Sequence, residues 1–153
     1  MTIAPISRTV FVNASPEKAF RRFTEHMIDW WPAFATISKT PRSQIVLEPH
    51  VEGRWFERDD EGTETQWGRV LAWDPPARLL LTWQIDATWS FDPTFETELE
   101  LTFVAKDGGT EVTLEHRNLE RYGESAAKQR EMLDGGWPTI ITNFAENMRM
   151  NEG

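Results

Sequence analysis

The chain contains no cysteine. That excludes a disulfide framework, a thiol nucleophile and a thiolate metal site. It has no apolar run long enough to span a bilayer. Its opening, Met1-Thr2-Ile3-Ala4-Pro5-Ile6-Ser7-Arg8, lacks the basic start and apolar stretch of a secretion signal, so a cytoplasmic location is the expectation. Positive charge is scarce: 16 Lys and Arg stand against 25 Asp and Glu, for a formal net charge of −9. Proteins that grip nucleic acid or anionic lipid neutralise phosphates with Lys and Arg, so neither partner is expected. The acidic excess serves solubility. There is no glycine-rich phosphate loop, because Lys106-Asp107-Gly108-Gly109 reads as a hairpin turn, and no Gly-x-Ser-x-Gly nucleophile motif. Glu25, His26 and Asp29 offer only one imidazole beside carboxylates, too thin a set for a metal. No cofactor motif is present, and neither cofactor nor metal is expected. Internal repeats, low-complexity segments and linkers are absent, so residues 1–153 read as one domain.

Large rings are abundant: eight Trp and nine Phe against a single Tyr. Each ring buries roughly 150–250 Å². A domain of this size with so many rings has either a bulky core or a cavity walled by them. Each buried indole N–H also needs an acceptor.

The pattern along the chain is mostly period two. Ile6 to Asn13 reads as a first strand. Ser15 caps a helix with Pro16 at its first position and Glu17 at the positive end of its dipole. Ala19, Phe20 and Phe23 form its buried face. A second short helix is expected over Glu25 to Trp31, stopping before Pro32, and a connecting loop over Phe34 to Arg42. Strands follow over Gln44 to Glu48, Arg54 to Arg58, Glu64 to Trp73, Arg78 to Gln84, Thr94 to Ala105 and Glu111 to Asn118. In the fifth of these, Phe95, Thr97, Leu99, Leu101 and Phe103 point inward, while Glu96, Glu98 and Glu100 form a solvated face. In the last, Val112, Leu114 and His116 point inward. Such alternation marks antiparallel sheet.

Ser125 starts a final helix. Gly135-Gly136 and Pro138 are expected to bend or break it. Beyond them Trp137, Ile141, Phe144 and Met148 form one apolar stripe that needs a sheet to lie on. The order of elements is therefore α+β: a curved antiparallel sheet of about six or seven strands wrapped around a long C-terminal helix, with two short helices after the first strand. This is a helix-grip arrangement.

Several segments resemble one superfamily in order along the chain. They are Val10-Phe11-Val12-Asn13-Ala14-Ser15-Pro16-Glu17-Lys18-Ala19-Phe20, Trp30-Trp31-Pro32, Gly68 to Leu79 with Thr82-Trp83 behind, Gly109 to His116, and Gly136-Trp137-Pro138. The chain resembles the START-like (SRPBCC, birch-pollen-allergen-like) superfamily, and within it the domains related to the activator of the heat-shock-protein-90 ATPase. The resemblance implies a hydrophobic small molecule held in the grip cavity. Its alternatives are a cyclase or dehydratase acting there, or a chaperone partner bound at the surface.

The candidate ligand-contacting residues follow. His116 faces inward and can orient a ligand, exchange a proton, or sit as a buried neutral histidine. A catalytic use of His116 needs a carboxylate such as Glu57 on the same open space. Trp55, Trp67, Trp83, Phe95, Trp137, Ile141 and Phe144 line the hollow or fill it. Trp30, Trp31 and Phe34 gate its mouth or plug it. The side of the Trp67–Trp73 strand that faces inward, the ligand and the oligomeric state are not readable from the sequence.

Overall fold

The computed structural model describes residues 3–38 and 40–151; Met1, Thr2 and Lys39, which belong to the expected N-terminus and connecting loop, lie outside them. The elements are β1 (Ile6–Val12), α1 (Pro16–Glu25), a 3-10 turn (Met27–Asp29), β2 (Arg42–Leu47), β3 (Arg54–Asp59), β4 (Glu64–Asp74), β5 (Arg78–Trp83), β6 (Thr97–Lys106), β7 (Gly109–Arg117), a 3-10 segment (Leu119–Ser125) and α2 (Ala126–Met150). One seven-stranded antiparallel sheet runs β1-β7-β6-β5-β4-β3-β2. It curls around α2, as the period-two pattern and the C-terminal stripe predict.

Helix α1 starts as its sequence dictates. The Ser15 side chain accepts from the Lys18 amide, and Ala19, Phe20 and Phe23 are buried. The expected second helix shortens to one turn. His26 leaves helical geometry at φ −127° and ψ 29°, so only Met27–Asp29 remains.

The expected break in α2 does not occur. The helix runs from Ala126 to Met150 with Pro138 inside it. Two glycines cost about 1 kcal/mol each in a helix interior and a proline about 3. Against that, Leu133, Trp137, Ile140, Ile141, Phe144 and Met148 are buried on one face, at roughly 1.5–3 kcal/mol for each large apolar side chain. Tertiary burial therefore outweighs local propensity. Ser125 does not cap this helix; its hydroxyl donates instead to the Tyr122 carbonyl at 3.1 Å.

Two irregularities explain why parity left β4 ambiguous. The register shifts between Trp55 and Phe56 against β4, and again between Val70 and Ala72 against β5. Each bulge flips which residues face inward. Trp67 and Val70 are both buried, while Trp73 reaches Phe20, edge to face at 5.1 Å. Gly68 sits where β4 crosses β5 most closely: a Cβ there would lie 1.9 Å from the Thr82 carbonyl oxygen.

Strand β6 begins at Thr97, three residues later than expected. Phe95 therefore falls in the preceding loop, outside the alternation. The outward glutamates are not simply solvated. Arg117 bridges Glu98, Glu100 and Glu115 at 3.1, 2.9 and 3.1 Å, Arg78 also reaches Glu100, and Arg69 pairs with Glu96 at 3.1 Å. Among the described residues no helix is long and apolar enough to cross a membrane, and no group of three or more potential metal ligands assembles.

Candidate functional site

The space between sheet and α2 is occupied by tryptophans. Trp31, Trp55, Trp67, Trp83 and Trp137 are all buried and touch in sequence around the core. Ring centroids lie 5.2 Å apart for Trp31–Trp67, 5.3 Å for Trp55–Trp67, 6.0 Å for Trp55–Trp83 and 5.3 Å for Trp83–Trp137. Most pairs meet edge to face or tilted, the arrangement the ring quadrupole favours. Trp30 joins this array through Trp31 and packs on Phe144 at 5.1 Å. Ile141 is buried on the same helix face.

Among the described residues, every indole N–H but that of Trp73 has an acceptor. Trp31 donates to the Ala35 carbonyl at 2.7 Å, Trp30 to the Arg22 carbonyl at 3.4 Å, and Trp55 to Met27 Sδ at 3.3 Å. Trp67 donates to Glu57 at 2.9 Å, Trp83 to the Tyr122 hydroxyl at 3.2 Å, Trp89 to the Thr36 carbonyl at 2.7 Å, and Trp137 to His116 Nδ1 at 3.1 Å.

That last bond fixes the chemistry of His116. An indole N–H can only donate, so Nδ1 must present a lone pair. Nε2 then carries the proton and donates to Thr97 Oγ1 at 2.7 Å, and the Thr97 hydroxyl donates to the Trp83 carbonyl at 3.2 Å. The imidazole is fully buried, and burial pushes its pKa down to about 3. His116 is a neutral histidine of defined tautomer. Tyr122, which accepts from Trp83, donates to the Ile85 carbonyl at 2.8 Å, and burial raises the pKa of its phenol, which stays protonated.

Glu57 lies at the other end of the array, fully buried on β3. Its carboxylate accepts from the Ile37 amide at 2.7 Å, the Ser38 amide at 3.1 Å, Trp67 and the Thr36 hydroxyl. Asp59, two residues on, accepts from Ser38 and Thr40 hydroxyls at 3.0 and 2.6 Å. The two acids lace the segment after Trp31 to β3. His116 and Glu57 share the inner face but do not converge on an open space, as a paired catalytic role requires. Each has its own partners, and the indoles lie between them.

An opening reaches the array at its Trp137 end; a separate surface pocket touches Trp31 beside Thr36 and Arg42. Phe34 and Ala35 of the loop, Trp89 of the β5–β6 connection, and Met132, Leu133, Gly136 and Ile140 of α2 surround a pocket of about 60 Å³ whose walls include Trp83 and Trp137. That is room for about two water molecules. Phe34 and Met132 at its rim are 62% and 48% exposed. Trp89 holds a left-handed backbone, φ 62°, unusual for a bulky residue. Phe95 lies away from this opening and packs on Tyr122 at 4.7 Å.

Sequence reading missed Trp89, Ile140 and Met132 at the mouth, and Thr97 and Tyr122 as hydrogen-bond partners. Ile140, three residues after Trp137, carried a usable signal in its helical spacing. Trp89 had none, because its placement depends on a loop conformation.

No curated protein matches this chain. Among solved structures, it is 40% identical to an anthrahydroquino-γ-pyrone synthase, Txn09, over 95% of this chain and 97% of that one, with a TM-score of 0.67. It is 30% identical to the self-sacrificing resistance protein CalC from Micromonospora echinospora, over 97% and 96% of the two chains, with a TM-score of 0.70. The Aha1 dimer from Colwellia psychrerythraea shares the fold at 15% identity, over 99% and 100%, with a TM-score of 0.63. The model of the activator of Hsp90 ATPase homolog 1-like proteins matches residues 13–149. This chain belongs to that family, within the helix-grip superfamily that its order of strands and helices describes.

Proposed function

We propose that this protein binds a flat, largely apolar aromatic small molecule, admitted between α2 and the Phe34 and Trp89 loops. The observation that carries this reading is the mouth itself: an apolar opening rimmed by exposed Phe34 and Met132, with Trp83 and Trp137 in its walls. Aromatic faces with few placed polar groups suit such ligands. The 40% identical relative named as an anthrahydroquino-γ-pyrone synthase supports a polycyclic ligand. A pocket of about 60 Å³ holds no such molecule unaided, so binding requires the loops to move outward.

The same relative favours a second reading, ring closure on a bound polyphenol. His116 stands one indole behind the pocket wall with a lone pair at Nδ1. If Trp137 releases it, that nitrogen is free to accept a hydrogen bond from a phenolic hydroxyl and orient it for ring closure. A third reading, a chaperone-docking module, has less support. The large exposed apolar residues Phe11, Phe34, Val51, Val104, Met132 and Met150 are spread over several elements.

The test is Gly136→Leu. Gly136 lines the mouth, and leucine there fills it while improving helix propensity. A tricyclic hydroxyanthraquinone is expected to quench the tryptophan fluorescence of the parent saturably, with affinity at least about tenfold weaker in the folded variant. Absence of saturable quenching in the parent, or equal affinity in the variant, contradicts the reading. Conversion of an uncyclised phenolic probe, lost in His116→Gln, selects the ring-closure alternative.

A further inference from the structure

Helix α1 turns Ala19, Phe20 and Phe23 into the core, and its other flank carries Lys18, Arg21, Arg22 and His26. This flank borders an open pocket of about 270 Å³, closed by Asn13 at the β1–α1 corner and by Asn151 after α2. Among the described residues the lining holds three formal positive charges, one histidine and two carboxamides, and no carboxylate. On a chain of net charge −9 that is a local reversal of sign.

The charges are only loosely engaged. Arg22 and His26 lie 3.5 and 3.6 Å from Asp29, and Arg21 lies 3.7 Å from Glu25. Pairs this long, each with at least one largely exposed partner, are worth little. Among the described residues, no carboxylate pairs with Lys18. Asn13 precedes the N-cap of α1, so one side of the pocket meets the positive end of that helix dipole. The C-terminal ends of α1, at His26, and of α2, at Asn151, oppose this with about half a charge each, less than the three cations supply.

We propose that this pocket is a binding site for a small, multiply charged anion of the phosphate class, carried as free phosphate or as a phosphomonoester. Guanidinium forks and a lysine suit tetrahedral oxyanions. The volume of the pocket suits a phosphate with a small attached group rather than an extended acidic peptide. The site is independent of the interior mouth, because the buried face of α1 separates them.

The test is a titration of the ¹⁵N-labelled full chain with inorganic phosphate, pyrophosphate and phenyl phosphate at low salt. Saturable shifts are expected at the amides of Lys18, Arg22 and Asn151, and at the Trp30 indole N–H, which donates to the Arg22 carbonyl. Tighter phenyl phosphate identifies a phosphomonoester as the ligand; equal affinity identifies the free anion. Lys18→Gln and Arg22→Gln each weaken binding by about tenfold, and Lys128→Gln, on exposed α2 surface, leaves it unchanged. Lys18→Gln carries the test alone should the Arg22 variant fail to fold, since the Lys18 side chain holds no structural bond among the described residues. Linear, non-saturating shifts, or an equal loss in Lys128→Gln, overturn the proposal.

Discussion

At the Glu57 end of the indole array, a buried carboxylate meets two backbone amides, a hydroxyl and an indole N–H, and a loop is laced to the sheet around it. At the Trp137 end, the neighbouring polar group is a neutral histidine, and beyond it lies a small apolar opening rimmed by exposed rings. Both ends use tryptophan against sheet. They differ in what closes them: directional charge-assisted hydrogen bonds at one, adaptable apolar contact at the other. The first end is a fixed structural anchor, and the second is where the fold can yield to a guest.

The sharpest way to break this comparison is to remove the anchor. Glu57→Ala leaves three N–H groups without their acceptor, and about 3–5 kcal/mol of stability is expected to be lost, read from denaturant midpoints. If the loss is under about 1 kcal/mol, the carboxylate is not the closure described.

The next effect belongs to His116 and follows from its titration. Its pKa is about 3 in the folded chain and about 6.5 unfolded. In the interval between them the unfolded chain binds the extra proton, so the histidine's contribution is complete above about pH 6.5 and is lost progressively as pH falls toward 3. Between pH 7 and 4.5 the parent is expected to lose about 2–3 kcal/mol more than His116→Gln. Parallel pH profiles for the two proteins would place the imidazole in water instead.

The smallest stability effect belongs to the mouth. Phe34→Ala removes a mostly exposed ring and is expected to change stability by no more than about 0.5 kcal/mol, while altering the affinity for an aromatic probe. A loss of several kcal/mol would make Phe34 a core plug and the mouth another closed end.

Much of this was legible in the residues. The clean alternation of Leu99, Leu101 and Phe103, and of Val112, Leu114 and His116, placed β6 and β7 and the inward histidine, because one face of each strand is apolar and the other acidic. The stripe of Trp137, Phe144 and Met148 placed the helix on the sheet. The failures have physical causes. Pro138 and the paired glycines spoke for a break that burial overrode. The bulges beside Trp67 and Leu71 hid the inward side of β4, since a single extra residue inverts parity. The separation of His116 from Glu57 depends on which indoles stand between them, and that is a property of long-range packing.

The central claim is that the two ends of the array respond differently to a ligand. Indole N–H resonances report on each tryptophan separately during titration with a tricyclic hydroxyanthraquinone. The expected result is saturable movement of Trp83, Trp89 and Trp137, with Trp55 and Trp67 unmoved. Silence at Trp83 and Trp137, or movement centred on Trp67, would contradict the account.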